Sequence, residues 1–490
     1  LHSTSRRQRQ MCIRDRYSTV YQILSIILPL VTTPYISRVL SVDSIGVYSF
    51  TASIVSYFVL VASFSFQTYG QREAAYKKND KEKLSILFFE IQIKKLIFTL
   101  LAYGSFVLFF IETSQYKTMY LIQSITIVSA FFDITYLFQG MEQFRLTVVR
   151  NTAVKLVGLL LTLIFVKKQT DVYLYAIIQT VTVLLGNLSL WLYLPEFISF
   201  KYFKFKKESI SHGLVELFQL FVPVLSIQLY YTIDKTMLGI TSNGMAENGY
   251  YEQAIKIIRL CQNMMGAMGA VLLSSIPRMI VTSGKEAVKS TINHAIRLNL
   301  FIAAPITMGL IGIADVMVPW FLGSGYERSA TLICIFAPMT LLSAISMIIG
   351  NGILLPLRRQ NCLTIATLGA MIFNIVFNII LIPQFGACGA AVASVGSEIV
   401  TLIIQGFFAK EYIDLNLIIK NAIKYLGVAA IMYAVISLIK ILIQGQVGMF
   451  TLTLLLIISG IAVYFSILLF TKDDILSDIR KSFNGRFGRL

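Results

Sequence analysis

Four polar side chains share one face of an otherwise apolar stretch in the middle of the chain. Glu252, Lys256, Arg259 and Asn263 are spaced at i, i+4, i+7 and i+11, which aligns them on a helix, and the opposite face includes the apolar run MMGAMGAVLL. A charge in such a setting normally faces a partner, a ligand or a water-filled cavity. The two cations predict a site for an anionic headgroup. The alternative is that Glu252 and Lys256 only pair with each other.

The stretch before it carries a matching polar face, made of Glu216, Gln219, Pro223, Ser226, Tyr230 and Asp234. Two roles are open for Asp234. It neutralises Lys256 or Arg259, or it binds and releases a coupling cation.

Further charges lie inside or at the ends of other apolar stretches. Asp133 and Lys155 lie deep enough to satisfy one another if they are adjacent, and each is a candidate cavity residue. Arg38 closes the first stretch, either as a third cation for the headgroup or as a residue that reaches to the membrane surface. Asn374 and Asn378 suit contacts between helices as much as contacts with a ligand, and Glu398 has no obvious partner.

The sequence lacks the residue patterns that several other kinds of site require. The three histidines and five cysteines show no metal-ligand spacing and no C-x-x-C pair, so we expect no metal site and no cofactor. Gly284-Lys285 is followed by Glu286, which does not complete a nucleotide-binding phosphate loop. The sequence therefore predicts neither an enzyme nor a protein that hydrolyses ATP directly.

The elements that must position these charges are membrane-spanning helices. Of the 490 residues 56% are hydrophobic and 14% are charged, with a mean hydropathy of +0.73, whereas roughly 25% of a soluble domain is charged. Stretches of about 20 apolar residues, long enough to cross a bilayer, recur along the chain. We predict fourteen spans, at residues 17–38, 45–67, 86–111, 118–138, 146–166, 172–194, 211–233, 249–273, 293–318, 329–352, 361–383, 387–409, 420–443 and 449–470.

The distribution of basic residues predicts an orientation. The net charge is +17, but the basic residues concentrate in alternate connections, which is typical of cytoplasmic loops rather than of nucleic-acid binding. We expect both termini to be cytoplasmic. The outer connections hold few cations, namely Arg38, Lys117, Lys167, Lys168 and Arg328.

An internal repeat predicts two lobes. Gln22, Ser25, Pro29 and Thr32 recur as Glu216, Gln219, Pro223 and Ser226, and FQGMEQFR, ending at Arg145, corresponds to GNGILLPLRR, ending at Arg359. Since the repeat is six spans long, both copies cross the membrane in the same direction. We predict an N-lobe at 17–208, a C-lobe at 209–412, and two appended spans with a basic tail at 413–490. Residues 1–16 resemble translated sequencing-adapter read-through; the alternative is a disordered basic tail.

The sequence also resembles a known family. QILSIILPLVTTPYISRVLSVDSIGVYSF, FQGMEQFR, VPVLSIQLYYTIDKTMLG and NGYYEQAIKI are similar to segments of the polysaccharide-repeat-unit (O-antigen and capsule) flippases, Wzx/RfbX type. These belong to the multidrug/oligosaccharidyl-lipid/polysaccharide exporter superfamily. The resemblance implies an all-α membrane protein of two six-helix lobes around a central cavity (MATE/MurJ-like). It also implies transport of undecaprenyl-pyrophosphate-linked oligosaccharide across a bacterial cytoplasmic membrane, with cavity cations such as Lys256, Arg259 and Arg38 at the pyrophosphate.

Under this interpretation the partners are the lipid-linked oligosaccharide, the surrounding membrane lipids, and the polysaccharide polymerase and glycosyltransferases of the same pathway. Two other carriers of the superfamily stay open as alternatives, a cation-coupled multidrug exporter and a lipid II flippase. A cationic site argues against the first because a cationic drug requires the opposite charge.

Overall fold

The structure is a computed structural model, and it describes residue 24 and residues 27–111, 114–203, 213–241 and 244–477. Apart from one isolated bridge between Gln444 and Val447, the regular structure of these residues is entirely helical. The predicted all-α membrane fold is confirmed. Residues 1–16 lie outside the described ranges, as does most of the first half of the first predicted span.

The helices follow the apolar stretches closely. A short helix at 27–39 is α1. The other helices of six or more residues in the described ranges are α2 (Val42–Ser63), α3 (Phe66–Lys77), α4 (Lys81–Phe106), α5 (Lys117–Phe132), α6 (Thr135–Gly140), α7 (Phe144–Phe165), α8 (Val172–Ser189), α9 (Leu214–Thr241), α10 (Ala246–Phe321), α11 (Glu327–Phe336), α12 (Pro338–Ile349), α13 (Gln360–Phe385), α14 (Ala387–Ala409), α15 (Leu415–Ile443) and α16 (Met449–Phe470).

Twelve helical segments within the described residues are long and apolar enough to cross a membrane. The eighth and ninth predicted spans are not separated by the predicted loop, since both lie in the single helical run α10. This run breaks at Gly284, whose φ of 78° and ψ of 179° suit glycine and few other residues. The three residues directly after it, Lys285, Glu286 and Ala287, are good helix formers, which favours immediate resumption of the helix.

The chain divides into two compact units, Leu1–Gly249 and Tyr250–Leu490. In the first unit α2 packs against α4, α5 and α9, and α8 packs against α5 and α7. In the second unit the closest pairs are α13 with α14 and α15 with α16. Helix α9, the seventh predicted span, belongs to the first unit, whereas the predicted C-lobe begins just before it. The lobe boundaries stay a prediction.

The two hinges of the internal repeat have the same backbone geometry. Each contains a non-glycine residue in the left-handed region two positions before the next helix, Glu142 (φ 63°) and Arg358 (φ 59°). A left-handed residue at the end of a helix, together with a backbone hydrogen bond that closes a six-residue loop, is the Schellman form of helix end. The amide of the following residue donates five residues back in both hinges, from Gln143 to Phe138 and from Arg359 to Leu354, each at 2.8 Å.

Two predicted spans of the first unit contain a helix break, the second span at Phe64 (φ 43°) and the fourth span. The fourth span consists of α5 and α6, separated at Asp133, whose backbone is extended (φ −73°, ψ 102°). The break leaves the carbonyl groups at the end of α5 without helical partners. Non-helical backbone at membrane depth requires polar groups nearby to satisfy it.

Candidate functional site

The α10 stripe (Glu252, Lys256, Arg259 and Asn263) runs from a buried end to an exposed end. Glu252 is buried, and its Oε1 lies 3.1 Å from Lys256 Nζ. The Lys256 side chain retains 34% exposure. Arg259 is half-buried and Asn263 is exposed. The internal pair that was the alternative interpretation is therefore present, and the Lys256 side chain is still partly accessible.

Neighbouring helices of the second unit hold this part of α10 in place. The Tyr251 hydroxyl lies 3.1 Å from Ser394 Oγ on α14. Ser329 on α11 donates to the carbonyl of Tyr250 at 3.2 Å. Farther along, Asn299 donates to the carbonyl of Met265 at 3.3 Å. These contacts join the part of α10 that carries the stripe to α11, to α14 and to the later part of α10 itself.

Asp234 is buried in the first unit, on the part of α9 that packs against α2. One half-turn away, Thr236 Oγ1 lies 2.8 Å from both Ser53 Oγ and Tyr57 Oη of α2. These hydroxyl contacts tie the two helices together. Asp234 and Lys256 belong to different units, and the predicted pairing between them stays a prediction.

Two other predicted site residues lie at exposed positions. Glu216 Oε1 lies 2.6 Å from Arg72 Nη2, and both side chains are about two-fifths exposed, so this ion pair links α9 to α3 at the surface. Arg38 is exposed at the end of α1. Their roles at a headgroup or a cavity stay predictions.

Asp133 occupies the break between α5 and α6. Its Oδ1 accepts hydrogen bonds from the backbone amide of Thr135 at 2.9 Å and from its hydroxyl at 2.5 Å. Its backbone carbonyl accepts a hydrogen bond from Lys95 Nζ on α4. The partner that the structure gives Asp133 is thus Lys95, whereas the sequence suggested Lys155, which lies at an exposed position on α7.

A polar network extends from this break across three helices. Arg150 donates to Thr135 Oγ1 at 2.7 Å and to Asn187 Oδ1 at 2.8 Å. Asn187 in turn donates to the carbonyl of Ser129 at 3.1 Å. The indole of Trp191 donates to the carbonyl of Phe132 at 2.8 Å. Asn187, Trp191 and Lys95 thus satisfy the carbonyl groups of Ser129, Phe132 and Asp133, and the cations lie where the helix dipole is negative.

Sequence reasoning missed Lys94, Lys95 and Arg150. Lys94 and Lys95 are almost fully buried in α4, and the Lys95 ammonium lies 5.8 Å from the centre of the Tyr136 ring. A signal was present, since two adjacent lysines interrupt the apolar run IQIKKLIFTL. The partner of Lys95, Asp133, is distant in sequence and has no regular spacing to it.

In the second unit, other charged and polar residues of the apolar helices have clear partners. Lys440 Nζ lies 3.0 Å from Asp315, and Arg297 lies 2.9 Å from Asp474. Glu398, which had no obvious partner, accepts a hydrogen bond from Ser346 at 2.7 Å. Asn378 donates to Asn374 at 3.0 Å within α13. No group of three or more His, Cys, Asp or Glu is arranged for a metal within the described residues.

Comparison with known proteins decides the family. Residues 16–280 match the family model described as polysaccharide biosynthesis protein. The chain belongs to this family. Within it, the chain is 22% identical over 399 residues to the "Putative O-antigen transporter" of Escherichia coli (strain K12), a match that covers 81% of this chain and 95% of that protein. The resemblance seen in the sequence is confirmed.

The fold of this polysaccharide biosynthesis protein is also found among solved structures. "Lipid II flippase MurJ, inward closed conformation" superposes with a TM-score of 0.74 at 17% identity, covering 95% of this chain and all of that one. An inward-facing multidrug resistance transporter of the MATE family, in the MOP superfamily, gives a TM-score of 0.52 at 15% identity and covers 79% of this chain and 97% of that one. At such identities the likeness establishes the fold.

Proposed function

We propose that this protein is a flippase for lipid-linked oligosaccharide. It moves undecaprenyl-pyrophosphate-linked repeat units from the inner to the outer leaflet of a bacterial cytoplasmic membrane, by alternating access that an ion gradient or the membrane potential drives. The observation that carries the proposal is the family membership together with a relative named as an O-antigen transporter. Both termini are cytoplasmic in this proposal, and the polymerase and glycosyltransferases of the pathway are its partners.

The α10 stripe supports an anionic headgroup as the polar part of the cargo. Lys256 and Arg259 outnumber the single carboxylate of Glu252, so the face carries a net positive charge. Unit charges about 4 Å apart attract each other by about 4 kcal/mol at an effective dielectric constant of ~20, which offsets much of the desolvation of a phosphate. The site performs no covalent chemistry. Its cations need only hold the pyrophosphate while the protein changes conformation.

A flipping assay in proteoliposomes tests this proposal. We expect Lys256→Ala and Arg259→Ala to lower the flipping rate of a fluorescent undecaprenyl-pyrophosphate oligosaccharide about tenfold or more, because each removes a charge-assisted hydrogen bond. Lys256→Arg should retain part of the rate. Lys420→Ala is the matched control, since Lys420 is an exposed cation near the start of α15. Wild-type rates in both alanine variants would contradict the headgroup site.

A double variant separates headgroup binding from a purely structural ion pair. Lys256→Ala alone leaves Glu252 buried beside an empty position, which destabilises the protein for reasons unrelated to cargo. Glu252→Gln combined with Lys256→Ala removes both charges. If Lys256 only neutralises Glu252, the double variant regains activity, whereas a headgroup role leaves it as inactive as the single variant. Vesicles that contain lipid II or a cationic dye test the two alternative cargoes.

A further inference from the structure

A long groove separates α7 from α8 in the first unit. Its volume is about 1080 Å³. The helices touch along its floor, where a Cβ added to Gly186 would lie 2.4 Å from Val154 Cγ2. Above this floor the walls diverge and expose apolar side chains, among them Val149, Val157, Phe165, Ile177, Leu185 and Leu192.

The groove is as long as the membrane core is thick. Its lining on α7 extends from Arg145 to Phe165, which corresponds to about 30 Å at the helical rise of ~1.5 Å per residue. The hydrocarbon core of a bilayer is also about 30 Å, and an acyl chain of a phospholipid occupies only about half of it. The apolar walls therefore suit a chain that is longer than one leaflet.

Positive charge is confined to one end of the groove. Arg145 and Arg150 line that end together with Glu196, and Lys81 donates to the backbone carbonyl of Glu196 at 2.9 Å. Arg150 is committed to Thr135 and Asn187, as described above. Arg145 is exposed and has no ion pair or side-chain hydrogen bond among the described residues. It is available to an anion, and the sequence places it on the cytoplasmic side.

A second groove provides an internal comparison. It lies between α10, α15 and α16 in the second unit, has a volume of about 350 Å³, and its lining among the described residues carries no charge. Along α10 this lining extends from Phe301 to Ile313, about 18 Å at the same rise per residue. Of these two grooves of the described residues, the α7–α8 groove is the one that combines full membrane height with a cationic end.

We propose that the α7–α8 groove is a loading site for the polyisoprenoid chain of the cargo, with the pyrophosphate next to Arg145. This inference rests on the proposed function, because it assigns the tail of the same lipid to a site that the α10 stripe does not include. A long flexible chain gains apolar contacts along the whole groove, and the cation fixes its phosphorylated end.

Chain length is the property that tests this proposal. The rate of flipping is measured in proteoliposomes with the same oligosaccharide carried on undecaprenyl or on farnesyl diphosphate. Leu185→Trp fills the groove at a wall position that is 59% exposed. Val183→Trp is the matched control, because Val183 is 44% exposed on the same helix, does not line the groove, and lies two residues from Leu185, on the opposite helix face. We expect Leu185→Trp to slow the undecaprenyl cargo at least fivefold with the farnesyl cargo unchanged, and Val183→Trp to affect neither.

Photocrosslinking to the purified full-length protein gives a reading that does not depend on transport. A benzophenone-labelled polyprenyl diphosphate should label peptides of α7 and α8, and Arg145→Gln should reduce the labelling severalfold. Labelling elsewhere, or full competition by phosphatidylglycerol, would overturn the proposal. So would equal undecaprenyl rates in Leu185→Trp and wild type. A wild-type protein that is labelled in the groove but moves no oligosaccharide would contradict the proposed function and leave the loading site intact.

Discussion

Cations within the apolar helices of this protein are satisfied in at least two ways, and this limits what such a charge can predict. Lys256 has the carboxylate of Glu252 one turn away, and Lys95 donates to the carbonyl that a broken helix exposes. The first contact is local, and its i, i+4 spacing made it readable from the sequence. The second depends on which helices meet. A lysine in an apolar stretch therefore indicates a polar surrounding, and only its accessibility distinguishes a site for cargo from a structural contact.

Asp473 is the residue whose protonation we expect to matter most for stability. It is almost fully buried just after α16 and accepts hydrogen bonds from Lys424 at 2.5 Å and from the Tyr425 hydroxyl at 3.2 Å, with Arg297 at 3.6 Å. Burial raises its pKa, but the Lys424 hydrogen bond, the amide of Ile475 and the two cations outweigh this and hold the pKa below the ordinary value of 3.8. Its stabilisation is thus complete above that value and is lost as the pH falls through the lower, folded-state pKa.

Asp473→Asn should therefore destabilise the protein at pH 7 by about 2 kcal/mol, because the buried donors lose a charged acceptor. The difference from wild type should shrink below about pH 4, where the wild-type carboxylate is itself protonated in the unfolded state. Thermal unfolding in detergent at both pH values measures this. Asp474→Asn is the control, since that side chain is 74% exposed and surface ion pairs contribute about 0–1 kcal/mol. Equal effects of the two substitutions would contradict the prediction.

At the scale of elements, the helices were predictable and their interruptions were not. The second predicted span at 45–67 is α2 followed by the start of α3, and the last two predicted spans correspond to α15 and α16 within a few residues at most ends. Apolar length decides these elements locally. The break at Asp133 depends on how neighbouring helices satisfy the exposed backbone groups, so hydropathy did not show it. Hydropathy also did not show that α10 resumes directly after its kink at Gly284.

The small-residue run at the start of α14 gives a direct test of helix packing. A Cβ at Gly389 would lie 2.4 Å from the carbonyl oxygen of Leu381 on α13, and backbone atoms there cannot move aside. We expect Gly389→Ala to lower the stability by about 1–3 kcal/mol through overpacking. Gly406→Ala on the same helix is the matched control, because nothing lies within 4 Å of that position. Apparent melting temperatures in detergent compare the two, and an unchanged Gly389→Ala protein would show that α13 and α14 pack less closely than described.

At the scale of the whole molecule, the internal repeat explains why the two units contain hinges of similar geometry. The hinges at Glu142 and Arg358 each place one residue in the left-handed conformation, and both have the same pattern of backbone hydrogen bonds. Matching hinges in two units of similar size suit a transporter that alternates between inward-open and outward-open states. The sequence indicated the repeat because hinge geometry is encoded within a few residues. How the two units cooperate depends on changes of conformation during transport, and an experiment with an ion gradient addresses this.

Asp234 is the residue at which we expect an ion gradient to act. It is a carboxylate buried at membrane depth in α9, and such a group binds a proton or sodium ion more readily in one conformation than in another when its surroundings change. A proton or sodium gradient should accelerate flipping by the wild type, and Asp234→Asn should flip at the same rate with or without the gradient. Glu142→Gln, at a side chain that is 68% exposed, should respond like the wild type. If Asp234→Asn responds to the gradient as the wild type does, coupling resides elsewhere; if the wild type itself ignores both gradients, Asp234 serves only to hold α9 in place.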